Sequence, residues 1–322
     1  MENLLSRGKG RINRMRRPIR LWPASPEKGN WLSSMKDSAV LLITCPDQKG
    51  LVAAVSGELY RFGANIIHAD QHRDHDAGLF FMRVEWSLGT GEGEQAFDIQ
   101  AFSEAFAPLV QQYNMDSQLH VSVIKPRIAL FVSQHLHCLA DLLHRHQMGE
   151  LDCEIPLIIS NHTNGEPLAR FYGIPFHHVP LMATNKAEGE AKQFALLETA
   201  VIDLIVLARY MQILSPEFVR RYPSRVINVH HSFLPAFIGA RPYHAAYKRG
   251  VKLIGATSHY VTEELDDGPI IEQDVTRISH RDQVEDLIAK GRDLERIVLS
   301  RAVSWHLDRR ILRYGNKTVI FD

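Results

Sequence analysis

From Arg127 to His230 short apolar runs alternate with amphipathic stretches, and that alternation leaves few folds open. RIALFVS, EIPLIISN, IPFHHVPL, LIVLARYM and RVINVH read as strands. HCLADLLHRHQMG, EPLARFYG, EGEAKQFALLETAVI and SPEFVRRYPSR lie between them and read as helices, the last opening on a Ser cap followed by Pro at the first helical position. Strands separated by helices make a mostly parallel sheet with helices on both faces, a doubly wound α/β fold. Ligands in such sheets sit at the carboxyl ends of the strands. Chemistry is therefore expected at the ends of LIVLARYM and RVINVH.

The preceding stretch has another pattern. AVLLITC reads as a strand, and PDQKGLVAAVSGELYRFG carries Leu51, Val52, Val55, Leu59 and Phe62 at helical spacing before Gly63. ANIIHADQHR and GLFFMRVEWSL read as two strands joined by a polar turn. A second amphipathic helix is expected over Gln95 to Tyr113 and a fourth strand in SQLHVSVI. The order βαββαβ is that of a ferredoxin-like sandwich. The expected division is a basic extension over 1–37, a small unit over 38–124 and a larger one over 127–322, with Lys125-Pro126-Arg127 as linker.

A chain of 322 residues is long enough for two such units. Lys and Arg together number 37, as do Asp and Glu, so net charge gives no reason to expect a nucleic-acid or membrane partner. No apolar run approaches the roughly 20 residues a membrane helix needs. Three scattered cysteines, Cys45, Cys138 and Cys153, make neither a disulfide framework nor a Cys-rich zinc site and fit a reducing, cytoplasmic compartment. The Arg-rich, acid-poor first 36 residues read as a disordered tail, with Met35 an alternative start. A transit peptide and a basic nucleic-acid arm are the other readings of that tail.

The chemistry-bearing residues follow the last parallel strand. In INVHHSF, Asn228 and His230 are two apart and share one face of a strand, so both point into the crevice and His231 points away. An amide N–H and a protonated imidazole are donors for the oxyanion formed when water attacks an acyl or formyl carbonyl, each worth roughly 3 kcal/mol in a dry site. A carboxylate keeps the imidazole charged and takes a proton from the attacking water, with its pKa expected to be raised by burial. Asp266 and Asp267, in the turn before Gly268-Pro269, are the candidates.

LARYMQILSPEF, INVHHSFLPAF and GATSHYVTEELDDGPII, in this order, resemble the signatures of the folate-dependent formyltransferase family. The likeness runs from about Arg127 to the C-terminus. The unit before it, through its topology and CPDQKGLVAAVSGEL, resembles the ACT domain family. The first resemblance implies Asn228, His230 and Asp266 as catalytic residues, Asp266 being the acid that follows Glu-Leu. It implies that the folate ring lies against Met211, Gln212, Ile213 and Leu214 and against Val261, Thr262, Glu263, Glu264 and Leu265. It implies no metal and no cofactor, the formyl-folate being the substrate. The second implies a homo-oligomer paired through this unit, with an amino-acid effector at the interface or a scaffold role alone.

Relatives that use a ribonucleotide carry a Gly-rich loop after the first catalytic strand, which cradles a phosphate. Here that place reads SQHLHCLADLL, Ser133 to Leu143, without glycine. The expected acceptor is then water, and the expected reaction is hydrolysis of 10-formyltetrahydrofolate to formate and tetrahydrofolate. The resemblance links that reaction to the one-carbon pool and purine synthesis. Transfer to an amine is the alternative, and a non-catalytic sensor is a third reading.

Other features stay open. His259 either shapes the pocket or packs within its strand, and Arg241 and His244 either line the site or sit in a solvated loop. His68, Asp70, His72, His75 and Asp76, His135 and His137 beside Cys138, and the pair His177 and His178 are spaced like metal ligands, but 17 histidines make chance clusters expected. Arg281 to Leu307 reads as a long amphipathic helix and ILRYGNKTVIF as a terminal hairpin, both structural.

Overall fold

The computed structural model describes residues 37–89, 96–182, 184–236 and 242–322. The basic N-terminal stretch and Arg241 lie outside the described residues. The first unit runs β1 (Ser38–Pro46), α1 (Leu51–Arg61), β2 (Asn65–Asp74), β3 (Leu79–Ser87), α2 (Ile99–Gln112) and β4 (Asp116–Val121). Its four strands form an antiparallel sheet in the order β2-β3-β1-β4. Strand alternation sends Leu41, Ile43, Met82, Val84 and Trp86 to one face, where Leu51, Val55 and Leu59 of α1 and Phe102 and Phe106 of α2 close the core. The α2 helix starts at Ile99 rather than Gln95 because the Asp98 carboxylate accepts the Ala101 N–H at 2.9 Å and caps it.

The second unit runs β5 (Arg127–Val132), α3 (His137–Gln147), β6 (Glu154–Ser160), α4 (Glu166–Phe171), β7 (Phe176–His178), α5 (Lys186–Thr199), β8 (Leu204–Ala208), α6 (Pro216–Arg221) and β9 (Val226–His230). It continues with α7 (Pro242–Arg249), β10 (Leu253–Tyr260), β11 (Ile270–Arg277), α8 (Val284–Leu307), β12 (Ile311–Tyr314) and β13 (Lys317–Ile320). Seven strands form one sheet, β11-β10-β9-β8-β5-β6-β7. The chain winds from β5 outward through β6 and β7, then crosses back to β8 and β9, all parallel. Period-two alternation splits β5 between two cores. Ile128, Leu130 and Val132 pack with α3 and α8, whereas Ala129 and Phe131 pack with Phe194, Leu197 and Phe218 of α5 and α6. Each fully buried large side chain contributes about 1.5–3 kcal/mol.

Past β9 the sheet changes sense, since β10 runs antiparallel to β9 and β11 antiparallel to β10. Neither α7 nor β11 is assigned from sequence, because α7 spans only 8 residues and IIEQDVTR is largely polar. The last long helix begins at Val284, three residues after the expected Arg281, where the Asp286 carboxylate accepts the Gln283 N–H at 2.8 Å in a capping box. The hairpin β12–β13 returns to the first unit and covers the outer face of its sheet, with Leu312, Val319 and Phe321 against Val40, Leu42 and Phe81.

Candidate active site

Antiparallel pairing sets the site. The register places His259 of β10 opposite Asn228 of β9, and Thr257 opposite His230. The His259 ring is 1% exposed, and its Nδ1 lies 3.0 Å from the Tyr260 carbonyl oxygen, which can only accept. Nδ1 therefore carries a proton. Burial lowers the His259 pKa, against the opposing pull of that carbonyl and of Asp266, so the ring is neutral and Nε2 is a bare acceptor. It accepts a hydrogen bond from Asn228 Nδ2–H at 3.3 Å and fixes which way that amide points. His259 thus lies between Asn228 and Asp266, on the strand where sequence reading placed it with its role left open.

Asp266 arrives on the loop between β10 and β11. It adopts a left-handed backbone at φ 55°, uncommon for a residue with a side chain and tolerated best by Asp and Asn. Gly268 makes this turn fit, since a Cβ there would lie 1.7 Å from the Tyr260 carbonyl oxygen. The carboxylate Oδ2 lies 3.3 Å from His230 Nδ1, and Oδ1 lies 3.7 Å from His259 Nε2. Because that Nε2 is bare, Oδ1 has no proton from it. The hydrogen bond with His230 holds the Asp266 carboxyl below the usual carboxylate range, outweighing burial. The upward shift expected from burial is therefore corrected, and Asp266 is a firmly ionised partner. His230 Nε2 is buried and has no hydrogen-bond partner among the described residues.

The expectation for His231 also needs correction. Its ring lies 5.0 Å from that of His230 and 6.0 Å from that of Tyr243, all three residues being buried. β9 ends at His230, so strict alternation stops there and His231 stays beside its neighbour. Burial, helped by Arg209 and His230, pushes the His231 pKa down to about 4 and leaves it neutral.

Beneath these residues lies an ion network that sequence reading missed. Glu295 of α8 is 1% exposed. Its Oε2 is 2.7 Å from His137 Nε2 and 3.3 Å from Arg209 Nε, and its Oε1 accepts the Tyr243 hydroxyl at 2.7 Å. Burial alone would raise this carboxyl, but the His137 bond, the Arg209 charge and the Tyr243 hydroxyl hold it low. Gly291, one turn before Glu295, leaves the space Tyr243 fills, since a Cβ there would lie 2.1 Å from the hydroxyl. Arg209 and His137 follow β8 and β5, so the network occupies the point where strand order reverses, beside the glycine-free stretch from Ser133. Nothing in an amphipathic helix pattern distinguishes a buried Glu from a solvated one.

The two expected folate-contacting segments meet at one end of the sheet, with Leu214 and Val261 packed on the same core cluster. Met211, Ile213 and Leu265 stay exposed there. Gln212 is half-buried, Thr262 donates to the Glu264 carbonyl oxygen at 3.0 Å, and Glu263 pairs with Arg220 at 3.0 Å. His244 lies on α7 and is exposed. Among the described residues, the only group with metal-competent atoms in mutual reach is His137, Cys138 and Glu295. There the carboxylate is already engaged by His137, Arg209 and Tyr243, and the guanidinium repels a cation. The structure leaves His68, Asp70 and His72 strung along the exposed edge strand β2.

A doubly wound sheet with Asn228, His230 and Asp266 at its carboxyl edge, preceded by a βαββαβ sandwich, defines a formyl transferase-type domain fused to an ACT domain. The formyl transferase family model matches residues 126–303, and the ACT domain model matches 39–85. A formyltetrahydrofolate deformylase from Synechocystis is 54% identical over 88% of this chain and 98% of its own. The crystal structure of a formyltetrahydrofolate deformylase from Pseudomonas syringae pv. tomato superposes with TM-score 0.86 at 48% identity, covering 90% of this chain and 96% of that one. A glycinamide ribonucleotide transformylase from Symbiobacterium toebii matches 62% of this chain and 95% of its own, at 28% identity and TM-score 0.58. The chain belongs to the formyltetrahydrofolate deformylase family. No helix of the described residues is long and apolar enough to cross a membrane.

Proposed function

We propose that the chain hydrolyses 10-formyltetrahydrofolate to formate and tetrahydrofolate, with Asn228, His230 and Asp266 as its catalytic residues. The carrying observation is the division of labour around His230: Nδ1 faces Asp266 while the buried Nε2 is left for a ligand. The folate ring lies between residues 211–214 and 261–265 and presents its formyl group to Asn228 and His230. Water attacks the formyl carbon. Asn228 Nδ2–H, aimed by His259, and the protonated His230 donate to the oxyanion. Asp266 Oδ1, which receives nothing from His259, takes the water's proton and passes it to the leaving folate nitrogen as the C–N bond breaks.

Water is favoured over an amine acceptor by the stretch Ser133 to Leu143, which has no glycine to let a backbone cradle the phosphate of a ribonucleotide acceptor. No metal or cofactor enters this scheme. Three buried free thiols support a cytoplasmic location, and the exposed edge strand β2, with Ile66 and Ile67 open, supports pairing of subunits through the ACT unit. We assign that unit an amino-acid effector role and the formate produced a role in one-carbon balance and purine synthesis.

The test supplies purified protein with 10-formyltetrahydrofolate alone and measures formate. Release without added amine is expected, and release only when an amine is present would mean transfer. Asn228→Ala, His230→Ala and Asp266→Asn are each expected to lower kcat by about 10²–10⁴-fold with the fold retained. Near-normal turnover in any one of them removes that residue from the scheme.

A further inference from the structure

We propose that Asn316, in the C-terminal hairpin, is a positioning residue for Asp266, and that the hairpin holds it there by resting on the ACT sheet. The inference rests on the catalytic reading of Asp266 given above. Tyr314 pairs with Lys317, so Gly315 and Asn316 form a two-residue turn, with Gly315 at φ 52°. From that turn Asn316 Nδ2 donates to the carbonyl oxygen of Asp267 at 2.8 Å. Thr318 Oγ1 donates to the Ile270 carbonyl oxygen at 2.6 Å. The hairpin therefore holds the Asp266 loop on both sides of Gly268.

The loop needs such a hold. Asp266 sits in a left-handed conformation, which is unfavourable for a residue with a side chain and persists only where the surroundings enforce it. One constraint is the His230 contact, and a second is the close approach of Gly268 to Tyr260. Asn316 supplies the third, from a separate element.

The other face of the hairpin explains why the turn stays in place. Leu312, Val319 and Phe321 share a buried cluster with Val40, Leu42 and Phe81 of the ACT sheet. The Tyr314 ring lies 4.7 Å from that of Phe81, and its hydroxyl donates to Asp74 Oδ2 at 2.9 Å. Arg83 Nε donates to the Arg309 carbonyl oxygen at 3.1 Å, at the hairpin's entry. The order of support is thus ACT sheet, hairpin, Asp267 carbonyl, Asp266. A movement of β2 or β3 would reach the Asp266 loop through Tyr314 and then Asn316.

The test uses the full-length enzyme and two readouts. Asn316 is exposed, so its variants are expected to melt with the parent. Asn316→Ala, and the isosteric Asn316→Asp, which keeps the shape but loses the donor, are expected to lower kcat about fivefold, the equivalent of one neutral hydrogen bond. Asn316→Gln, which retains the amide, is expected to recover most of that loss. The second readout, carbonyl-labelled aspartate NMR assigned with Asp266→Asn, does not depend on turnover. In Asn316→Ala the Asp266 carboxyl is expected to titrate at higher pH as its hydrogen bond to His230 loosens, a change that a purely structural role would not produce. Tyr314→Phe, which frees the hairpin from Asp74, is expected to move the same titration in the same direction.

Unchanged kcat and titration in Asn316→Ala overturn the positioning role, and an unmoved titration in Tyr314→Phe removes the ACT sheet from the line of support. If Asp266→Asn is fully active while Asn316→Ala still shifts the Asp266 titration, the catalytic reading fails and the contact stands.

Discussion

Replacing Glu295 by Leu is expected to destabilise the second unit severely, and replacing Arg209 by Met in the same chain to restore most of the loss. The Glu295 carboxylate is 1% exposed and Arg209 Nε is 3.3 Å away, with only 9% of the Arg209 side chain exposed. At an effective dielectric of about 20, unit charges at that separation attract by about 5 kcal/mol. Removing one partner of a buried pair costs about 3–5 kcal/mol, chiefly because the other charge is left unpaired. For Arg209 that cost falls on a guanidinium whose Nε and Nη1 already lack aligned acceptors, so the ion pair is its main compensation. In a unit of this size the loss corresponds to a fall in Tm of roughly 6–20 °C. Replacing both residues by apolar ones removes the unpaired charge, and such exchanges are often close to neutral. The assay is urea unfolding followed by Trp305, which packs against the largest core cluster, for the parent, both single variants and the double. A single variant losing less than about 1 kcal/mol, or a double losing the sum of the singles, would refute the reasoning.

Other expectations follow from the same geometry. His259→Phe keeps an aromatic ring but leaves Asn228 without its acceptor, and kcat is expected to fall at least tenfold in formate-release assays with the fold intact, equal activity sinking the orienting role. Burial pushes His231 down to about 4, and His120 and His306 to about 3, from an ordinary 6.5. These rings stay neutral when folded and take up protons on unfolding, so stability is full above pH 6.5 and falls as pH drops toward 4. Urea midpoints from pH 7.5 to 4.5 check this, and replacing His306 by Phe should flatten the slope. Burial holds the thiols of Cys45 and Cys153 at about 11 and 12 and that of Cys138 well above its usual value, so native protein should resist alkylation at neutral pH while unfolded protein reacts fully.

What could be read from the sequence, and what could not, divides along physical lines. The strands of the parallel sheet announce themselves because burial on both faces makes them continuous apolar runs, as in LIVLARYM. Asn228, His230 and Asp266 were legible as residue types joined by a family resemblance, and the structure brings His230 to Asp266 directly and Asn228 to them through His259. The protonation of Asp266 was not legible, because burial and a hydrogen bond act in opposite directions and only the distance to His230 decides between them. The place of His259 beside Asn228 stayed open because it is set by cross-strand register, which no local pattern records. Glu295 and Asn316 were invisible for a related reason. Each makes its decisive contact with a residue far away in sequence, and on its own element each has an ordinary environment.

The antiparallel pairing of β9 with β10 also bears on how this site tolerates change. His259 and Asn228 are cross-strand partners, so their alignment is a matter of phase rather than of chain length. Residues added or lost between β9 and β10 leave that phase unchanged. One residue added within β10 before His259 would turn its ring to the opposite face of the sheet and bring Ser258 opposite Asn228. The amide would then be left without an acceptor, although every residue of the site remained in the sequence. In this family, then, the short strand Leu253–Tyr260 is where a single-residue insertion should abolish activity without removing any functional side chain.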